Sequence, residues 1–399
     1  MKLAPEVLLQ LPDMKAWRHH LHAHPETAFE EEQTSAFVAE KLLSFGLEVH
    51  TGIAKTGVIG VLRGTEADGG AAGSIALRAD LDALHIHERS GVAHASQQPG
   101  RMHACGHDGH VTMLLAAAAA LQRRRHVHGT VYFIFQPAEE NEGGGRLMVE
   151  EGLFERFPVS AVYGMHNWPR LPVGKMAMRE GPLMGAYDVF EIVATGKGAH
   201  AAMPYEGKDP MLFAAHAISA LQTIVARNLH PLDAGVVSVT QVHGGDTWNV
   251  IPEEVVLRGT VRTFKPEVQD LIESRMRTIV AGAAAMFEMA ATLRYERRYP
   301  ATVNSPAETR HAIAAASSVV GAGNVDTDPV PNMGSEDFAF MLQERPGCYV
   351  WLGAGSGPGC PGLHNPHYDF NDDALAIGAS YWVALAEQQL AGLAVRKAA

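Results

Sequence analysis

From residue 58 onward, short β-branched runs alternate with longer helical segments, and this alternation restricts the fold more than any other feature of the chain. Apolar runs over 58–62, 75–78, 130–135, 161–165 and 349–352 read as strands, while 34–45, 111–124, 307–320 and 373–390 read as helices. Strands interleaved with helices specify an α/β sheet covered on its faces. The middle of the chain departs from the pattern. Residues 187–195 alternate as a strand, 210–228 are helical, 236–242 and 255–263 are strands, 266–287 are helical and 291–297 close with a strand. That β-α-β-β-α-β order is the split pattern of a ferredoxin-like module. Gly181-Pro182 and Tyr299-Pro300 bracket it. The sequence therefore predicts a discontinuous α/β domain, residues 1–182 and 299–399, with a ferredoxin-like α+β domain inserted at 183–298.

The chain has 399 residues, 47% of them hydrophobic, which is ample for large cores. No apolar stretch approaches the ~18 residues of a membrane span. The opening MKLAPEVLLQLPDM has a single Lys, and Pro5, Glu6 and Pro12 break its apolar run, which is not a signal-peptide pattern. Three cysteines, Cys105, Cys348 and Cys360, cannot form an even disulfide framework, so a reducing, cytoplasmic location is expected. The net charge is -12, and the only basic cluster is Arg123-Arg124-Arg125 at a helix end. Nucleic acid and membrane are thus poor partners, and a small-molecule substrate is the better expectation. The 21 histidines matter because His is the commonest metal ligand.

Ligand-type residues crowd the ends of the expected strands. Arg78-Ala79-Asp80-Leu81-Asp82, Gln136-Pro137-Ala138-Glu139-Glu140 and Gly164-Met165-His166-Asn167 each follow one, and Gly362-Leu363-His364-Asn365-Pro366 lies a short loop beyond the last. Open α/β sheets bind ligands beyond the carboxyl ends of their strands, where these segments would converge. A fifth segment, His103-Ala104-Cys105-Gly106-His107-Asp108, opens the helix at 111. Singly, a histidine after a strand is more often structural, and an intracellular cysteine is usually a small buried hydrophobe. Jointly the five segments point to a metal site. A thiolate with imidazole and carboxylate donors suits Zn²⁺, Mn²⁺, Co²⁺ or Ni²⁺ better than Ca²⁺ or Mg²⁺. If one of Glu139 and Glu140 is a ligand, the other is a natural general base beside a metal-activated water. Gly357-Pro358-Gly359-Cys360-Pro361-Gly362 fits a phosphate-loop pattern formally, but its prolines forbid the strand-to-helix turn. There is no G-x-S-x-G nucleophile elbow. A Cys105–His107 nucleophile pair would leave Glu139, Glu140 and His364 unexplained.

RADLDAL (78–84), HACGHDGH (103–110), QPAEENEGG (136–144), GMHNWP (164–169), GKGAHAAMP (196–204), NVIP (249–252), GTVRTF (259–264), GSEDF (334–338) and GLHNPHYDFND (362–372) together resemble the hippurate hydrolase and N-acyl-amino-acid amidohydrolase branch of the aminoacylase–carboxypeptidase metallopeptidase family. The resemblance runs in order from about residue 17 to 375. It implies a zinc-peptidase-like catalytic domain holding two divalent metal ions, and a ferredoxin-like lid that also makes a homodimer or higher homo-oligomer. By this resemblance Cys105, His107, Glu140, His166 and His364 are metal ligands, Glu139 is the general base, and Asp80 orients a metal-binding group. The wider family has His two positions before this Asp; Arg78 stands there instead, which removes that ligand. In the lid, His200 resembles the residue that reaches the reacting carbonyl, and Asn249 and Arg262 resemble residues at the substrate's carboxylate end. The expected activity is hydrolysis of the amide bond of N-acyl amino acids. Rival readings are a carboxypeptidase or dipeptidase on the same scaffold, a non-catalytic metal-binding protein, and a cysteine hydrolase.

Overall fold

The computed structural model describes residues 1–64, 70–124, 127–355, 357 and 359–398; Arg125 and Pro358, noted in the basic triplet and the glycine-rich loop, lie outside them. The chain forms two compact units, one of Met1–Leu183, Val303–Val330 and Asp337–Ala399, the other of Met184–Thr302 and Pro331–Glu336.

Along the chain, the first unit begins with helices α1 (Leu11–Ala23) and α2 (Glu32–Ser44) and a hairpin of β1 (Glu48–Ile53) and β2 (Gly57–Arg63). Then come β3 (Ser74–Asp80), α3 (His107–Arg124), β4 (Thr130–Gln136), β5 (Ala161–Pro172) and β6 (Met176–Ala177). The second unit holds β7 (Ala186–Thr195), β8 (Ala199–His200), α4 (Pro210–Thr223), β9 (Gly235–His243), β10 (Val250–Ile251), β11 (Glu254–Thr263), α5 (Pro266–Met286) and β12 (Ala290–Tyr299). The chain returns to the first unit with α6 (Pro306–Val320), β13 (Val325–Asp326), β14 (Gly347–Gly355) and α7 (Leu375–Ala398).

The first unit is built on an eight-stranded mixed sheet in the order β1-β2-β4-β3-β5-β14-β6-β13. The four central strands β4, β3, β5 and β14 run parallel, so their carboxyl ends share one edge. β3 and β4 are buried at every position, as strands covered on both faces must be; β4 is accordingly apolar from 131 to 135 and β3 from 75 to 77, before the functional Arg78 and Asp80. α3 is buried from His107 to Leu121. Its alanines at 116–120 leave room for close packing under the sheet and against α7. In the second unit β9-β11-β7-β12 form an antiparallel sheet, and α4 and α5 cover one face. β7 alternates buried and half-buried residues, placing Phe190, Ile192 and Ala194 in a core with Phe213, Leu257 and Met276. This is the ferredoxin-like order, and the fold class is the one the sequence specifies.

Several details differ from the sequence-based expectation: α1 and β1 are not among the expected elements, and the boundaries move so that Leu183 falls in the first unit and residues 299–302 in the second. Pro331–Glu336, assigned above to the discontinuous domain, groups with the second unit: the Gly185 N–H donates to the carbonyls of Asn332 and Gly334, at 3.0 and 2.9 Å. The helix expected over 210–228 ends as an α-helix at Thr223 and finishes in a π turn, Ile224–Asn228. Among the described residues no helix is long and apolar enough to cross a membrane.

Candidate metal centre

The shared edge of the parallel strands gathers the chemistry-bearing segments. Asp80 ends β3, Gln136 ends β4 and leads into the Glu139-Glu140 turn, and β5 carries His166 and Asn167. His107 is the first residue of α3. Ligand atoms of Cys105, His107 and His166 lie within 4.8 Å of one another; so do those of Cys105, Glu140 and His364, and those of His107, Glu139 and Glu140. All five ligands expected from the sequence, with Glu139 beside them, thus come together. Cys105, His107 and Glu140 each belong to two of these groups, which ties the three into one cluster. Between Cys105 and His107, Gly106 adopts φ +87°, and a Cβ there would collide with the side chain of Asn167.

Hydrogen bonds at the far side of each ring decide which nitrogen faces the site. His107 Nδ1 lies 2.8 Å from the carbonyl oxygen of Asp82, and His166 Nδ1 lies 2.7 Å from that of Asn167. A carbonyl only accepts, so both rings carry a proton on Nδ1 and turn Nε2 inward. His107 Nε2 is buried with no hydrogen-bond partner among the described residues, and His166 Nε2 is 3.3 Å from Cys105 Sγ. His364 Nε2 is 3.0 Å from Glu140 Oε1, and His364 holds a left-handed φ of 62°, uncommon outside glycine. Burial first, then Glu140, Glu139 and Asp80, push the Cys105 thiol well above its ordinary pKa. Such a thiol is a poor nucleophile and becomes a thiolate only beside a cation, which disfavours the cysteine-hydrolase alternative. An orphaned Nε2, inward-facing ring nitrogens and surplus negative charge all fit a pair of divalent metal ions.

Around these donors lies a buried layer of carboxylates and amides. Arg78 donates to Asp80 Oδ2 at 2.8 Å, Gln136 Oε1 at 2.8 Å and Asp337 Oδ1 at 3.0 Å, so its guanidinium anchors the strand ends. Burial alone would raise the Asp80 carboxyl pKa, but His107, His110 and Arg78 hold it well below the usual range. The close imidazole partner of Asp80 is His110, at 2.6 Å; His107 Nε2 is 3.7 Å away. His110 Nε2 in turn accepts the Asn167 N–H at 2.9 Å, which fixes the strand residue next to His166. Asp82 accepts the backbone N–H groups of Glu139 and Glu140, each at 3.0 Å. His110 and Asp82 were not singled out from the sequence. The signal for His110 was its spacing of three from His107, which puts both on one helical face.

The three remaining expected site residues fall in the second unit. His200 pairs with Val250 across β8 and β10, and the Ala201 N–H donates to the Asn249 carbonyl at 2.9 Å, so His200 and Asn249 share one ribbon. His200 Nδ1 accepts the Ala202 N–H at 3.1 Å, which leaves Nε2–H as an exposed donor. Arg262, on β11, stacks its guanidinium 4.1 Å over the Tyr187 ring and donates to Ser335 Oγ at 3.1 Å.

A parallel-strand edge bearing one thiol, three imidazoles and paired carboxylates defines the class of metal-dependent hydrolases. Residues 76–388 match the model of peptidase family M20/M25/M40, and the chain belongs to that family. It is 40% identical over 371 residues to N-acetylcysteine deacetylase of Bacillus subtilis, covering 92% of this chain and 94% of that one. It is 37% identical over 390 residues to hippurate hydrolase of Campylobacter jejuni, covering 98% and 100%. The solved structure of the Bacillus subtilis YXEP protein, a dinuclear metal binding peptidase from the M20 family, is similar with a TM-score of 0.82 at 36% identity, covering 96% and 99%.

Proposed function

We propose that this chain is a metal-dependent amidohydrolase that cleaves the amide bond of N-acyl amino acids, hippurate-like compounds among them. The observation that carries this is the convergence of Cys105, His107, Glu140, His166 and His364 around Glu139. The deacetylase and hippurate hydrolase names of full-length relatives support the acyl specificity. The five residues would hold two divalent ions, drawn from Mn²⁺, Zn²⁺, Co²⁺ or Ni²⁺ by the mixed sulfur, nitrogen and oxygen donor set. When bound, such a pair lowers the pKa of a water towards ~7 and draws charge from the substrate carbonyl.

Glu139 accepts the water's proton as the oxygen attacks the acyl carbon, then delivers it to the amine as the C–N bond breaks. The products are a carboxylate and a free amino acid. His200 donates its Nε2–H to the carbonyl oxygen as negative charge develops there. Asn249 and Arg262 bind the carboxylate end of the substrate, Arg262 through its charge. Asp80 keeps the imidazole layer in register. The inserted unit serves as lid and as dimerisation surface, and three free cysteines support a cytoplasmic setting.

The test is a hydrolysis panel of N-acetyl, N-benzoyl and long-chain acyl amino acids and dipeptides, using chelated protein and protein resupplied with each metal. Activity on the acyl amino acids should vanish on chelation and return with metal. Full activity of demonstrably metal-free protein would sink the mechanism, and turnover of dipeptides alone would make the protein a peptidase.

A further inference from the structure

Three consecutive backbone N–H groups in the turn carrying Glu139 are each gripped by a buried carboxylate. Asp82 takes those of Glu139 and Glu140. The third, on Ala138, donates to Glu31 Oε1 at 2.9 Å. Glu31 is wholly buried at the entrance to α2, far from this turn in sequence. Its other oxygen accepts from Thr56 Oγ1 at 2.7 Å, just before β2. Each oxygen thus already has a donor from the protein.

Ala138 itself is held at φ 53°, a left-handed conformation that an alanine does not adopt unless its surroundings impose it. On the other side of the turn, the Ala138 carbonyl accepts the Gly144 N–H at 2.9 Å. Both peptide groups flanking the Ala138 Cα are therefore pinned, and the next side chain along is Glu139. Burying Glu31 near a second acid, Asp82, is unfavourable in itself. Burial, and then Asp82, push the Glu31 carboxyl up to about 7, so what the turn requires at this position is a buried oxygen that accepts the Ala138 N–H, whether or not it is charged.

We propose that Glu31 is a positioning residue for the hydrolytic reaction: by holding the Ala138 N–H it fixes the left-handed turn that aims the Glu139 carboxylate. It acts through the backbone and touches none of the five metal donors. The proposal rests on Glu139 being the general base, and the experiment separates the two.

kcat, KM and metal per subunit are measured on metal-loaded protein for wild type, Glu31→Ala, Glu31→Gln, Glu139→Gln and the Glu31→Ala/Glu139→Gln double variant, using the best acyl amino acid of the panel. Glu31→Ala should lower kcat roughly 10- to 100-fold, the range expected when a catalytic group is misplaced by about 1 Å. KM should stay within about twofold and metal content should be unchanged. Glu31→Gln should recover most of the loss, because its amide oxygen still accepts from Ala138. In the Glu139→Gln background, Glu31→Ala should cost nothing further, since there is no base left to aim. An unchanged kcat, the same fold-loss in both backgrounds, or loss of metal would each overturn the proposal. Should Glu31→Ala not fold, Thr56→Val, which releases the second Glu31 oxygen, takes its place; a smaller kcat loss confined to the Glu139 background is expected, and no loss overturns the idea. If Glu139→Gln alone leaves kcat intact, the base assignment falls; if it abolishes turnover while Glu31→Ala is silent, only the positioning role falls.

Discussion

Glu139 and Glu140 carry the same side chain on adjacent residues, yet their surroundings separate them. Glu140 Oε1 faces His364 Nε2 at 3.0 Å, whereas Glu139 joins His107 and Glu140 without reaching the Cys105–His364 group. Glu140→Gln should therefore lower metal per subunit, with activity partly restored by excess metal, because a neutral amide oxygen replaces a charged donor. Glu139→Gln should keep its metal and lose turnover by about 10³-fold or more, since the amide cannot take the proton. Elemental analysis beside kcat at saturating substrate reads both, and metal loss from Glu139→Gln with retention in Glu140→Gln would reverse the assignments. At this scale the donors were legible because Glu140 and His166 sit in or just beyond an apolar strand, Cys105 and His107 open a helix, and His364 follows a glycine-rich loop. Glu31 was not: its partner N–H lies more than a hundred residues on, and no local pattern links the two. Asp82 shows a similar blindness, since its carboxylate binds backbone, and backbone hydrogen bonds leave no mark on residue type.

Helix α1 is fastened to the loop that precedes the metal centre by a buried charge network. His22, on α1, lies 2.8 Å from Asp108 on α3 and 3.1 Å from Glu88 in that loop. Burial opposes the charge on His22, but Asp108 and Glu88 outweigh it and raise its pKa to about 9, while Glu88 is held down to about 2. An unfolded histidine titrates near 6.5, so the stabilisation is fully present below that pH and fades as pH rises through about 9. At about 1.4 kcal/mol per pH unit this is on the order of 3 kcal/mol, counted once for the whole cluster. Denaturant midpoints should fall between pH 6.5 and 9 and the decline should be shallower in His22→Gln; identical slopes would show that the network contributes no such linkage. The same network explains why α1 is obscure in the sequence. Its buried face is Met14, Arg18, Leu21 and His22, so half of a regular helical stripe is written in polar letters. β1 is hidden for the complementary reason, with half of its residues exposed, whereas β3 and β4 are buried throughout and their apolar stretches, 75–77 and 131–135, read directly. In the second unit, Asp209 caps α4 by accepting the Met211 N–H at 2.8 Å. Asp209→Ala should cost about 1 kcal/mol of that unit's stability by denaturant titration, and no change would mean the cap is redundant.

On the scale of the whole molecule, the second unit leaves apolar surface in water: Leu232, Trp248, Tyr205 and Met286 are all exposed. Among the described residues, β9 and β12 are the edge strands of its sheet. Edges and patches of this kind are normally covered, and self-association through this unit is the economical way to do so. Sedimentation at micromolar concentration should show a dimer, and a strict monomer would rule that assembly out. Each unit has a hydrophobic interior of its own, with Phe190, Ile272 and Met276 in one and Phe133, Val350 and Trp382 in the other. Heat should therefore find two structures to melt. A scanning calorimeter should record two endotherms, and chelation should pull down only the one belonging to the metal-bearing unit, because a ligand stabilises only the fold that binds it. The inserted unit would then still be folded, on a chain already past any catalysis.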